Sequence, residues 1–399
     1  MAGKSRKRFL KIHRWLGLTS GLVVFMLGVT GCIFAFEKEI SDIIYKDFFY
    51  VKSESGQPLP VSRLLKIAQD TMGKDRKIAR VITARDKKRS WIFQTYKTDT
   101  ASLTYFGEYV YYDEVYVDPY TGKILKIEDR KMEFFNLVKM LHYSLWLKID
   151  IGRPIVGTAT LIFFVMLITG FVLWWPGSKN KNAIRQRFTI KWNARFKRLN
   201  YDLHNVMGFY ALTFSSIIAF TGLIMAFRWI MILTYAVASW SVTPPAYHPF
   251  QKKDTASQHA TVMDEALHHA KLMYPDAANI AVYMPKDKDT LLNVYISENE
   301  GRYDKTNLLV FHAVTGAPVK AQFHKLKNNG EKLVGMNYDI HVGAILGLPG
   351  KIIAFSVSFI CATLPITGFI IWWGRKNKKD KTKRKLPVKP VDKAKALAE

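Results

Sequence analysis

Four apolar runs without a single charged residue set what this chain can fold into: Leu16 to Phe36, Pro154 to Trp175, Asn205 to Phe227 and Ile352 to Trp373. Each is long enough to cross the hydrocarbon of a bilayer, which takes about 20 residues of helix. Basic clusters flank the runs, which argues against four buried core helices. Polar stretches separate the first run from the second and the third from the fourth. A membrane protein, mainly α, with four transmembrane helices is therefore expected.

The formal net charge of +27 raises the question of a nucleic-acid partner, and its distribution answers it. Residues 1–14 hold six Lys and Arg and no acid; 176–203 hold eight against the single acid Asp202; 374–399 hold eleven against three. With four crossings all three segments face one side. That is the positive-inside arrangement, which places both termini in the cytoplasm and the polar stretches in the periplasm or its equivalent. Anionic membrane lipids account for the clusters, and no nucleic acid is expected.

The two cysteines, Cys32 and Cys361, both lie in apolar runs, so neither a disulfide framework nor a cysteine metal cluster is expected. Val29-Thr30-Gly31-Cys32 resembles a lipoprotein processing site, where cleavage would remove the first helix. The apolar run continues to Phe36, however, and the Thr-Gly pair recurs in the third run, where no signal peptidase acts. The first helix is expected to be retained.

Self-comparison reveals a duplication. The first run reads His13-x3-Gly17-x12-Thr30-Gly31-x4-Phe36, and the third reads His204-x3-Gly208-x12-Thr221-Gly222-x4-Phe227. The second ends Ile168-Thr169-Gly170-Phe171-x2-Trp174-Trp175, and the fourth ends Ile366-Thr367-Gly368-Phe369-x2-Trp372-Trp373. His142 precedes the second ending by nearly the interval that separates His341 from the fourth. Each half thus reads helix, external domain, helix.

Within the external stretches, residues 58–72 and Val262–Met273 have helical spacing. Strands are predicted at Ala79–Ile82, Ser90–Tyr96, Tyr109–Val117 and from Ile124, then at Ile280–Met284, Leu291–Ile296, Leu308–Phe311 and Pro318–Phe323. Asp118-Pro119-Tyr120-Thr121-Gly122-Lys123 supplies a turn, and Ala313-Val314-Thr315-Gly316 stands in its place in the second half. One helix against a small antiparallel sheet is the expected fold of each domain. The whole chain then divides as basic N-terminus and first helix at 1–44, external domain at 45–140, and His-bearing segment with second helix at 141–176. A basic loop follows at 177–203, the third helix at 204–240, and the second external domain at 241–335. The last parts are the His-bearing segment with fourth helix at 336–374 and a basic tail at 375–399.

Of ten histidines, His248, His259, His268, His269, His312 and His324 lie in the second external stretch without counterparts in the first. They read as surface or local structural residues. His13, His142, His204 and His341 occupy matched positions instead. If the halves pack about a pseudo-twofold axis, His13 approaches His204 at the cytoplasmic face and His142 approaches His341 at the external face. Two imidazoles from opposite sides are what six-coordinate haem iron takes. Zinc or copper would call for further Cys, Asp or Glu ligands, which do not accompany the pairs. A ligating imidazole must be neutral and oriented through its other nitrogen, so a polar partner is expected beside each. The plainer reading is that these histidines cap or anchor helix ends.

Gly17 and Gly208 stand one turn from His13 and His204 on the same face, where a flat macrocycle would need missing side chains. They also suit close helix packing. Arg153 and Lys351, matched just before the second and fourth runs, can meet haem propionates or lipid phosphates. The Trp-Trp pairs fit an interfacial aromatic belt.

Several of these stretches together resemble the PepSY-associated transmembrane family. They are Ile12-His13-Arg14-Trp15-Leu16-Gly17, Leu141-His142-Tyr143-Ser144-Leu145 with Gly152-Arg153, Asp202-Leu203-His204 with Gly208, and both Thr-Gly-Phe-x2-Trp-Trp endings. Tyr111–Leu125 looks like the end of a PepSY domain. The resemblance implies a bacterial inner-membrane protein with haem on His13, His142, His204 and His341. It further implies electron passage to a ferric siderophore or other ferric chelate in the periplasm, for iron uptake. Two haem b groups are expected, and an electron donor that is a protein or quinol, since no Gly-rich dinucleotide or flavin motif is present. No catalytic side chain is assigned. The competing expectations are a membrane sensor or assembly protein whose external domains bind peptides, and a quinol-linked cytochrome with another acceptor.

Overall fold

The computed structural model describes residues 3–52, 56–175, 180–251, 261–285, 289–299 and 305–384. Four long helices, Gly3–Phe34, Ile149–Trp174, Phe196–Ala226 and Leu348–Arg384, are long and apolar enough to cross a membrane. All four begin before the apolar runs do, at Gly3, Ile149, Phe196 and Leu348. A segment entering a bilayer must pair every backbone N–H and C=O within itself, so the helix extends through its polar flanks. The third helix passes through one π-helical turn at Leu203–Met207, which carries His204.

The first helix packs against the second and the fourth, and so does the third. The four therefore close into a ring. Gly28 sets the tightest approach, since a Cβ there would lie 2.7 Å from the backbone nitrogen of Ala362. Small residues let membrane helices meet backbone to backbone, which is where their dispersion contacts arise. Arg6 donates to the carbonyl of Leu173, which gathers the start of the first helix and the end of the second at one end of the ring. This is the basic end.

The other end carries a sheet of eight antiparallel strands. They are β1 (Ile78–Ala84), β2 (Trp91–Thr98), β3 (Tyr109–Val117), β4 (Ile124–Asp129), β5 (Asn279–Tyr283), β6 (Leu291–Ser297), β7 (Thr306–His312) and β8 (Pro318–Gln322). Their order is β4-β3-β2-β1-β5-β6-β7-β8. The two expected small sheets are thus joined edge to edge, with Val81 opposite Val282. Either sheet alone would expose β1 or β5 as an open edge, and pairing removes both. Helices Val61–Met72 and Val262–Met273 cover one face, and Leu64, Phe93, Val115, Leu267, Ile296 and Phe311 form a single core beneath them. The opposite face mixes polar residues such as Gln94 and Glu114 with Ile82, Ile92 and Tyr116, and part of it borders the end of the first membrane helix.

Turn chemistry differs between the halves. Asp118 accepts from the backbone N–H groups of Tyr120 and Thr121, and Gly122 completes the turn at φ +75°. At the matching place His312 Nδ1 accepts from Val314 and Thr315, and Gly316 has φ +65°. An imidazole thus does the work of a carboxylate there.

Among the helices not expected from the apolar runs are two that follow directly on the third and the first membrane helices. Phe227 leaves helical conformation, and a separate helix, Arg228–Ser239, follows. It exposes Trp229, Ile232, Leu233 and Val237 and buries Ile230 and Thr234, a spacing suited to lying in the bilayer interface. After the first helix, Glu37–Ile44 similarly exposes Ile40, Ile43 and Ile44.

A buried polar knot links the sheet to the membrane helices. Glu133 caps helix Phe134–Ser144 by accepting from the N–H groups of Phe135 and Asn136. It also accepts from Tyr45 at 2.9 Å and pairs with Arg130 at 2.7 Å. Burial and the Glu133 carboxylate push the Tyr45 phenol up to about 12, so it remains a donor. Arg130 also lies 3.7 Å from Glu114 of β3, while Glu114 accepts from Gln94 and Tyr116. Glu133→Ala should lose about 3 kcal/mol of stability, because the cap disappears and Arg130 loses its nearer counter-charge. Glu133→Gln, which keeps an acceptor for the cap, should lose less. Thermal unfolding in detergent checks the order, and equal stability of all three proteins would contradict it.

Candidate functional site

The four matched histidines meet in two pairs. At the basic end His13, in the first helix, faces His204, in the π turn of the third, with ring centres 6.4 Å apart and planes at 83°. At the sheet end His142, near the end of helix Phe134–Ser144, faces His341, at the end of helix Asn337–His341, with centres 6.1 Å apart and planes at 72°. The interval from His13 to Thr30 puts the pairs about 25 Å apart along the bundle, at 1.5 Å per residue.

Every one of these rings is held the same way. His13 Nδ1 lies 2.9 Å from the hydroxyl of Thr169, His142 Nδ1 2.8 Å from Thr30, His204 Nδ1 2.9 Å from Thr367, and His341 Nδ1 3.0 Å from Thr221. Each threonine hydroxyl also donates within its own helix, to the carbonyl of Met166, Met26, Thr363 or Ile217. A hydroxyl has one proton, so its oxygen is left only to accept from the imidazole. His341 gives an independent sign, because its Nδ1 also lies 3.0 Å from the carbonyl of Ile218, which can do nothing but accept. All four Nδ1 atoms are therefore placed to donate, which in a neutral ring leaves the lone pair on Nε2. That tautomer is the one a metal ligand needs.

The glycine after each threonine lies against the same ring. A Cβ on Gly170 would sit 3.3 Å from His13 Cε1, on Gly368 3.2 Å from His204, on Gly222 3.3 Å from His341, and on Gly31 3.8 Å from His142. The repeated Thr-Gly pair is thus a histidine seat. The sequence displayed it four times, and its repetition beside four matched histidines was the signal that could have assigned it. Gly17 and Gly208 face elsewhere, towards Met166 and Leu364 of the neighbouring helices, in keeping with the packing alternative.

Arg153 and Lys351 part company. Arg153 donates to the hydroxyl of Tyr143, next to His142, and its buried Nε has no partner among the described residues. Lys351, 8% exposed, donates to both carboxylate oxygens of Glu39 at 2.7 and 2.9 Å. It pins the start of the fourth helix to helix Glu37–Ile44. Gly152 and Gly350, just before these two residues, allow close passage; a Cβ would fall 1.9 Å from the carbonyl of Ser144 and 2.1 Å from that of Gly343.

The other described histidines stay away from the pairs. His312 serves its turn, His269 packs between Phe250 and Phe311, and His248 bridges to Ala321 of β8. His259 lies outside the described residues. Among the described residues no group of three or more His, Cys, Asp or Glu converges to hold a metal. At the basic end Trp174 stacks on Phe209 at 3.8 Å and donates to the carbonyl of Arg187. This Trp is a packed residue, whereas its neighbour Trp175 is exposed.

Burial raises the Glu39 carboxyl, but the bond to Lys351 outweighs it and holds the group below its ordinary value. The resulting stability is fully present above the ordinary Glu value of about 4.3 and is lost as pH falls through the lower folded value. Glu39→Gln should therefore be less stable at neutral pH by about 1 kcal/mol, the carboxylate being half exposed. It should also lack that acid-side step. A pH series of unfolding temperatures for both proteins checks this, and parallel curves would refute the link.

A search of curated proteins returns no match to the chain. Residues 10–375 match the family described as the PepSY-associated TM region. That match takes in all four apolar runs, both histidine pairs and the whole sheet, and the chain is a multi-pass membrane protein belonging to the PepSY-associated TM region family.

Proposed function

We propose that this protein carries electrons across a bacterial inner membrane through two haem b groups and delivers them to a ferric chelate, foremost a ferric siderophore, on the sheet side. The observation that carries the reading is the pair of facing imidazoles at each end, every ring seated through Nδ1 on a threonine, which leaves Nε2 for a metal. Two imidazoles bound across one metal by bonds of about 2 Å have ring centres roughly 6 Å apart. The separations of 6.4 and 6.1 Å suit that arrangement. The seat glycines keep side chains off the rings, and the unpartnered Nε of Arg153 suits a propionate near the His142 pair. Lys351, taken by Glu39, is the weaker candidate for that role. Haem at these positions would supply a one-electron iron couple inside a layer that charge otherwise crosses at high cost.

In this reading the chain is two repeats of helix, external domain and helix, with PepSY-like domains joined through β1 and β5. The basic segments face the cytoplasm. A cavity of about 790 Å3 lies along the sheet and one of about 360 Å3 lies between the sheet and the membrane helices, and both reach Asn279 and Asn299. The smaller is lined by Asp339 and Val342, on either side of His341, and would bring a chelate near the outer pair. Trp240, Tyr247 and Phe250 are poorer contacts: Trp240 stands exposed at the end of helix Arg228–Ser239, Tyr247 lies under Lys320, and Phe250 packs against the sheet core. Reduction loosens a chelate built on hard oxygen donors, because these prefer the more highly charged ion. No acid–base dyad is needed.

Purified full-length protein should show a Soret band. Replacing His13 or His204 by Ala should remove one haem signal, and replacing His142 or His341 the other. A dithionite-reduced sample should be reoxidised by a ferric siderophore and left unchanged by its gallium complex. Colourless protein that takes up no added haem would refute the proposal and favour a sensor. Haem that a ferric chelate does not oxidise would instead favour a cytochrome with another acceptor.

A further inference from the structure

Beyond the shared threonine seats, the two halves hold their histidines differently. Asn200 stands four residues before His204, and Asn337 four before His341. Both asparagines are 4% exposed. Asn200 Nδ2 donates to the carbonyl of Thr367 at 3.1 Å, and Asn337 Nδ2 donates to the carbonyl of Thr221 at 3.0 Å. These are the threonines whose hydroxyls receive His204 and His341. Each second-half segment therefore grips one residue of the facing helix twice, by amide at its carbonyl and by imidazole at its hydroxyl. The corresponding residues before His13 and His142 are Phe9 and Val138, neither of which has a side-chain donor.

We propose that Asn200 and Asn337 are positioning residues that fix the ring planes of His204 and His341, so that in each histidine pair one imidazole rests on a threonine clamped by an amide and the other on a threonine without that clamp. This rests on the haem reading above. A buried asparagine between membrane helices can serve simply as packing glue, since an unpaired amide in hydrocarbon is costly. Glue, however, has no reason to choose the seat threonine at both ends of the bundle. A residue that only joins helices would also act on both pairs alike when removed. One that sets a ring acts on its own pair, because a hydrogen bond behind a ligand governs that ligand's orientation.

The test is the low-spin ferric EPR signal of the full-length haem-loaded protein, which reports the angle between axial imidazole planes. Near-perpendicular planes predict two strongly anisotropic signals, assigned through the His13→Ala and His142→Ala variants. Asn200→Ala should shift only the His13–His204 signal and speed haem loss from that site by about tenfold or more. Asn337→Ala should do the same only at the His142–His341 site, and it carries the test should Asn200→Ala fail to accumulate. Asn205→Ala is the control, since Asn205 donates to the exposed carbonyl of Tyr201 and touches no seat; it should move neither signal. Two unmoved signals, or both shifting together in each variant, overturn the positioning role while leaving the haem reading intact. Wild-type protein without haem overturns both.

Discussion

The hydrogen bond from imidazole to threonine across two antiparallel helices is the contact on which the rest of the bundle depends. Inside a bilayer no water can take up a stray donor or acceptor, so each polar atom must find a partner of the right kind. A threonine that gives its proton to its own helix becomes a one-way acceptor, and the ring opposite must then donate. Helix attachment and tautomer choice are thereby one event. In each half the exchange is mutual. His13 reaches Thr169 on the second helix while His142 reaches back to Thr30 on the first, and His204 and Thr367, His341 and Thr221 repeat it. Each half is closed by its own two bonds, and each histidine pair takes one ring from either half.

The sheet extends this logic outside the membrane layer. Two polypeptide halves that met only through helices would be free to rotate against each other, and the facing rings would drift. Pairing β1 with β5 makes the external parts one body. Arg80 of β1 strengthens the seam, donating to the hydroxyl of Tyr283 on β5. Glu133 then transmits the position of that body to helix Phe134–Ser144, and so to His142. On the other half the link is a capping box, in which Asn328 and Glu331 fix the start of helix Asn329–Gly335 just ahead of the His341 helix.

The sequence made some of this legible and hid the rest for physical reasons. Helix count, the matched histidines and nearly every strand followed from hydropathy and period, because those signals sum over many residues. The strand predicted at Tyr109–Val117 and the helix at Val262–Met273 agree with the structure to the residue. The β1–β5 seam left no trace, since strand pairing between distant segments has no local signature. The role of Thr30, Thr169, Thr221 and Thr367 was visible only as a repeat, because a hydrogen bond across helices depends on a rotation angle that spacing alone does not give. Lys351 looked equivalent to Arg153 by position, yet its partner Glu39 comes from a helix the apolar runs did not mark. His312 shows the converse: a residue type associated with metal and proton chemistry can occupy a turn position where only a lone pair is needed.

The two halves of the chain match in some features and differ in others. The threonine seats are kept in all four places. The links from the sheet-side histidines into the following helices are not. Leu145 and Trp146 turn the first link at φ +56° and +58°, a conformation that side chains rarely adopt, whereas Gly343 and Gly347 turn the second. A strained link of larger residues must be held by its surroundings, and Trp146 donates its indole N–H to the carbonyl of Leu137. The second link relies on glycine and needs no such support. The half with the relaxed link is the half whose histidines have asparagine holding their seats. Rigidity that the first half obtains outside the ring of helices, through Glu133 and the Leu145–Trp146 turn, is supplied in the second half from inside it.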